Sequence, residues 1–216
     1  MNRFLIIFFL FTGFLAQGQP TLKGGLDKFI KANLCYPSYS LQNCIQGTVN
    51  ISFKINKQGE VYAARISSGP GIDLDHEALR LIRMTSGQWK VTADYDTSYV
   101  LIAPVNFKLT GADCDTKDPA EIRKAIADWK ANQDLEDAIT SFYKNKFKGV
   151  YNEGEEARIT ALKKELGYDD EYFESRIKDG QKKLKQKDRL GACEDFLFVK
   201  YMGSTLADEF LERYCK

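Results

Sequence analysis

The sequence predicts an α+β chain: a small domain of helix, β-hairpin, helix and edge strand, followed by an all-α region of helical hairpins. Three observations predict it. Two stretches, Gly47 to Asn56 and Ser98 to Leu109, alternate apolar and polar residues with the period of a half-buried strand. Segments beside and beyond them place apolar residues three and four apart, the spacing of a buried helix face. Charge also shifts along the chain, because only 11 of its 31 basic and 8 of its 30 acidic residues precede Asp115. A boundary is expected there, dividing residues 19–114 from residues 115–216.

The first residues bear on the compartment. Arg3 is followed by Phe4 to Ala16, an apolar run broken only by Thr12 and Gly13. Crossing a bilayer takes roughly 20 apolar residues, so the run is short for a span. It has the length of a signal-peptide core, and Ala16-Gln17-Gly18 offers small residues for cleavage. Residues 1–18 are therefore expected to be removed before Gln19, leaving an exported chain with no membrane span. Five cysteines in such a chain read as disulfide partners. Cys35 is expected to pair with Cys44 and Cys193 with Cys215, leaving Cys114 over. No C-x-x-C pair is present, so a zinc site is not expected.

In the first half, Leu26, Phe29, Ile30 and Leu34 mark a short helix, which Tyr36-Pro37 ends by forcing the preceding residue out of the α region. Val49, Ile51, Phe53 and Ile55 form the buried face of a strand. Lys57-Gln58-Gly59-Glu60 turns the chain into a second strand, Val61 to Ser67, and the pair reads as a hairpin. Asp73 or Asp75 is expected to cap the next helix, whose inner face carries Ala78, Leu79 and Ile82. The last strand, Ser98 to Leu109, contains Pro104. Proline cannot donate to a ladder, so this strand is expected at an edge.

This order, with Gly24-Gly25, Phe29, Asn33, Tyr36-Pro37, Gly47-Thr48-Val49, Phe53, Gly59, Val61, Gly69, Asp75, Glu77-Ala78-Leu79, Trp89-Lys90 and Pro104 to Leu109, resembles the C-terminal domain of the TonB energy-transducer family. Val91-Thr92 departs from it, since the family usually has a proline two residues after the tryptophan. The resemblance implies a protein-binding module of the Gram-negative periplasm. It also implies that the partner is the N-terminal box of an outer-membrane receptor, engaged in envelope transport. The peptide would add to the last strand at Tyr99, Val100, Leu101, Ile102 and Ala103, with backbone bonds supplying affinity. Energy-transducing members also carry a histidine-bearing membrane anchor and a Pro-rich spacer. Neither is expected in a chain with five prolines and one histidine, His76, within the domain.

Beyond Cys114, Asp118-Pro119-Ala120-Glu121 is a helix start with its cap and a proline in the first turn. Ile122, Ala125, Ile126 and Trp129 form an apolar stripe, repeated by Leu135 to Tyr143, by Ile159, Leu162 and Leu166, and by Tyr172 to Leu184. Short polar joints at Gly149–Gly154 and Gly167–Asp170 imply antiparallel neighbours. Ala192 and Phe196, four apart, resemble the second helix of a tetratricopeptide repeat, and a closing helix is expected over Thr205 to Cys215.

No catalytic constellation is legible, and no enzyme activity or cofactor is expected. His76 sits among Asp73, Asp75 and Glu77, where a solvated position is expected. Lys182-Lys183 and Lys185-Gln186-Lys187 lie between Asp179 and Asp188, and a solvated helix face accounts for them. The net charge of +1 points to neither nucleic acid nor an acidic surface. A protein partner remains. The alternative is a structural role, in which the first domain is a scaffold and the helical half carries the interaction. The oligomeric state is not legible.

Overall fold

The computed structural model describes residues 18–109 and 114–216, and the expected signal segment lies outside the described residues except for Gly18. The chain is mixed α and β. In order it forms β1 (Thr21–Leu22), α1 (Leu26–Asn33), α2 (Ser38–Gln42), β2 (Gly47–Ile55), β3 (Val61–Ser68), α3 (Asp73–Met84), β4 (Trp89–Lys90) and β5 (Leu101–Phe107). Five helices follow: α4 (Pro119–Phe147), α5 (Glu153–Glu165), α6 (Asp170–Lys185), α7 (Arg189–Tyr201) and α8 (Asp208–Tyr214). The main sheet is antiparallel, with β2 between β3 and β5, while β1 and β4 pair separately.

The hairpin forms because each of its residues suits its place. Val49, Ile51, Phe53 and Ile55 are buried on one face of β2. At the turn, Asn56 accepts the N–H groups of Gln58 and Glu60, and Gly59 adopts φ 78°. A side chain at Gly59 would also run into the carbonyl of Trp89, so glycine is required there twice over. Trp89 in turn leans on Phe53, with ring centroids 5.7 Å apart, and its indole N–H donates to Thr85 at 2.8 Å. Helix α3 covers the sheet with Leu74, Ala78, Leu81 and Ile82, all buried. Burying an aliphatic side chain of this size stabilises the fold by about 2 kcal/mol.

Two expectations about this half are corrected. Neither Asp73 nor Asp75 caps α3, because Ile72 occupies the cap position without a side-chain bond. Both carboxylates lie in the first turn and serve donors outside the helix: Asp73 takes the N–H and hydroxyl of Ser40, and Asp75 takes the Gly71 N–H at 2.9 Å. Cys35 and Cys44 do not pair. Helix α2 separates them, and Cys35 is exposed and free, its N–H donating to Glu77 at 2.9 Å. Cys44 instead bonds to Cys114, with Cα atoms 5.3 Å apart. The topology brings them together, since β5 runs back along β2 with Phe107 opposite Gly47, returning the chain to the residues before β2.

The first core does not end at Cys114. Ala125 of α4 is buried in it, with Ile122, Ile126 and Trp129 packed against it. Further along the same helix, Ile139, Phe142 and Tyr143 enter a second core with Phe173, Ile177, Ala192, Phe196 and Val199. One 29-residue helix therefore belongs to both cores. Helices α6 and α7 pack closely because Gly180 has no side chain: a Cβ there would lie 2.5 Å from the Phe196 ring. The Cys193–Cys215 bridge ties α7 to the residue after α8, with Cα atoms 5.7 Å apart. Closing 22 residues stabilises by about 3 kcal/mol in the chain-entropy picture.

Candidate functional site

Both outer strands of the main sheet are paired on one side only. They differ as templates. β3 meets β2 with two register shifts, and Ala63 has φ 51°, so this edge is bulged. Bulges twist an edge away from further pairing. In addition, the Tyr62 hydroxyl donates to the Thr97 carbonyl at 2.5 Å. β5 meets β2 in unbroken register through seven pairs, from Phe107 opposite Gly47 to Leu101 opposite Phe53.

Pro104 sits opposite Asn50 inside that register. A proline keeps its place in a ladder only where its nitrogen faces away from the partner strand. Main-chain groups alternate sides along a strand, so those of Ile102, Pro104 and Asn106 turn outward, and the groups of Leu101, Ala103, Val105 and Phe107 turn toward β2. Leu109 continues the second set, its N–H donating at 2.8 Å to Gln46, just before β2. The free edge thus offers two donors, at Ile102 and Asn106, and three carbonyls.

The five residues expected to form the edge fall in two groups. Leu101, Ile102 and Ala103 are in β5, and Tyr99 and Val100 are not. Asp96 ends the ladder early: its carboxylate accepts the Ser98 N–H and its carbonyl accepts the Tyr99 N–H, which makes a turn of that stretch. Tyr99, Val100 and Ile102 are 59%, 47% and 66% exposed, an unusual concentration of apolar surface on one short segment. Ala103, Val105 and Phe107 face the core. Beside the start of β5 lies a cavity of about 590 Å³, lined by Gly18, Gln19 and Pro20 on one side and by Tyr95 and the stretch from Tyr99 to Ile102 on the other.

A second concave region lies between the two cores. Adjoining cavities of about 470, 470 and 500 Å³ all border Lys183. Several of its charges are paired: Arg80 with Glu77 at 2.6 Å, Arg83 with Glu194 at 2.8 Å, and Arg176 and Lys183 with Asp195 at 2.9 and 2.7 Å. Asp195 is 1% exposed, so Lys183 neutralises a buried carboxylate and is not simply a solvated lysine. His76 is exposed in this crevice, and desolvation, with Arg176 nearby, holds its imidazole below the usual range. Among the described residues no cluster of histidine, cysteine, aspartate or glutamate could hold a metal ion. No described helix is long and apolar enough to cross a membrane.

Sequence reasoning missed Tyr95 and the segment at Pro20. Pro20 precedes β1, a strand too short to show a period, and Tyr95 stands in a polar loop. Only its size and its isolation among polar residues marked it.

Residues 32–109 match the family described as Gram-negative bacterial TonB protein C-terminal. The match spans the end of α1 through β5 and the two residues after it. No curated protein and no solved structure matches the chain.

Proposed function

We propose that residues 19–114 act as a protein-binding module of the Gram-negative periplasm, taking an extended segment of an outer-membrane receptor onto β5 as a fourth strand. The observation that carries this reading is the unbroken, one-sided pairing of β5. The family match over residues 32–109 supports it. Main-chain bonds from Ile102 and Asn106 supply affinity, and the exposed side chains of Tyr99, Val100 and Ile102 supply contact area. The module has no chemistry of its own in this reading. The helical half, residues 115–216, packs its helices in a tetratricopeptide-like manner and holds a second partner or governs access. A scaffold role for that half is the second reading, and Phe147, Val150 and Tyr151, exposed together around the joint between α4 and α5, favour it.

Proline substitutions test the first reading. Ile102→Pro deletes an outward N–H, whereas Leu101→Pro deletes one directed at β2. Peptides copied from receptor N-termini are expected to bind the parent chain weakly. Binding is expected to be lost in Ile102→Pro, with circular dichroism unchanged. Leu101→Pro is expected to lower stability by about 3 kcal/mol, a typical cost for proline at a bonded position. Undiminished binding to a folded Ile102→Pro variant, with shifts confined to the helical half, would move the assignment to the scaffold.

A further inference from the structure

We propose that the cavity of about 500 Å³ beside the middle of α4 binds a short, uncharged saccharide. The cavity lies in the crevice between the two cores and includes no residue of β5, so it is separate from the docking edge. Its size falls within the usual span of small-molecule sites, about 300–1,000 Å³.

Helix α4 supplies one wall. Trp129, Asn132, Gln133 and Glu136 all line the cavity. Spacings of three, four and seven place them on one face of the helix. The same face is apolar before them, at Ile122, Ala125 and Ile126, and apolar again after them, at Ile139 and Tyr143. Between the cores it turns polar, and there it fronts the cavity. Neither the Asn132 nor the Gln133 carboxamide makes a hydrogen bond among the described residues. Each therefore keeps both donors and an acceptor for a ligand.

Four partly exposed rings add to the lining. Tyr39 and Trp129 pack against the first core, and Tyr168 and Tyr172 against the helical one. Ring planes meet at 53° in the first pair and 67° in the second. Each pair thus makes an angled wall rather than a flat slot. The Tyr39 hydroxyl is engaged by the Ala125 carbonyl and the Tyr168 hydroxyl by Glu136, so what these two tyrosines leave for a ligand is ring surface. The face of an aromatic ring is electron-rich and attracts the weakly positive C–H groups on the apolar face of a sugar ring.

The charged groups on the wall are balanced and occupied. Two carboxylates, Asp73 and Glu136, accept from Ser40 and Tyr168, and two cations, Arg176 and Lys183, hold Asp195. His76 also lines the cavity and is neutral at pH 7, because desolvation, then Arg176, hold its imidazole below the usual range. An anion would meet Asp73 and Glu136, and a cation would meet Arg176 and Lys183. A neutral ligand meets neither penalty. Sugar hydroxyls both donate and accept, as the free carboxamides require.

The test uses the full chain from Gln19 onward, labelled for NMR and titrated with glucose, N-acetylglucosamine, maltose and cellobiose. At least one of them is expected to give saturable shifts of the Trp129 indole and the Asn132 and Gln133 carboxamides. The Trp89 indole and the Ile102 and Asn106 amides are expected to stay unchanged. Gln133→Ala is expected to weaken that binding about three- to tenfold, the range for one neutral hydrogen bond, without lowering the melting temperature. Trp129→Leu keeps an apolar contact with the first core and is expected to weaken it about tenfold. Glucosamine and glucuronate, which add a charge of either sign to the sugar, are expected to bind less tightly than the best neutral sugar. No saturable shift at Trp129, Asn132 or Gln133 with any neutral sugar would overturn the proposal. A charged sugar binding more tightly than all of them would do the same, as would unaltered affinity in a folded variant carrying both Asn132→Ala and Gln133→Ala.

Discussion

Asp188 shows how one residue can be helpful and costly at once. It is buried and caps α7, accepting the Gly191 N–H at 2.9 Å. Desolvation, the largest influence, raises its carboxyl above the usual range, and the cap bond and Arg83 only partly offset this. A carboxyl whose folded pKa lies above its unfolded value, about 3.9, contributes stability fully below that value. The contribution is lost as pH rises through the folded pKa. Asparagine keeps the cap without the charge. Asp188→Asn is therefore expected to match or exceed the parent in denaturant melts at pH 7, with its advantage shrinking toward pH 4. Asp188→Ala is expected to cost about 1 kcal/mol, the usual worth of a cap. Equal losses in the two variants at pH 7 would contradict this account. The cysteines teach a related lesson. Nearness in sequence suggested Cys35 with Cys44, yet the partner of Cys44 is 70 residues away and reached only through the sheet.

Among the elements, those with a clear period were legible and those without were not. The alternation of β2 gave its buried face residue by residue, and Pro104 gave β5 its edge position. The same alternation, carried back to Ser98, overextended β5, because it does not register the Asp96 turn. Helix α2, five residues long, and the two-residue strands β1 and β4 are too short to carry a period. The opening beside β5 is lined by Gly18 to Pro20, just before β1, and by Tyr95 in the loop after β4, irregular segments that carry no period, which is why the edge strand was readable and its cavity was not. Helix α4 is the other lesson. Its two apolar stripes were visible, but nothing local says that the first joins the sheet's core and the second the helical core. A fragment ending at Cys114 exposes the surface that Ile122, Ala125, Ile126 and Trp129 cover. Residues 19–131 are accordingly expected to be more stable than residues 19–114 by several kcal/mol, at about 25 cal/mol per Å² of apolar surface retained. Urea melts of the two fragments check this, and coincident midpoints would place α4 outside the first core.

At the scale of the molecule, two cores share one helix and meet elsewhere across a polar crevice. The Arg83–Glu194 pair joins α3 to α7, and Tyr39 joins α2 to α4 through its ring on Trp129, 4.8 Å away, and its hydroxyl on the Ala125 carbonyl. The Cys44–Cys114 bridge fastens the chain just before α4 to the start of the sheet, closing a long loop that the chain-entropy picture values at about 4 kcal/mol. These ties fix where α4 departs while leaving β5 paired on one side only. The central claim is that this side receives a peptide strand. Amide hydrogen exchange, resolved by residue and measured with and without a receptor N-terminal peptide, tests it most directly. The account predicts that the peptide slows exchange at Ile102 and Asn106 and leaves β3 unchanged; protection confined to β3 or to α4–α8, with Ile102 and Asn106 exchanging as before, would contradict it.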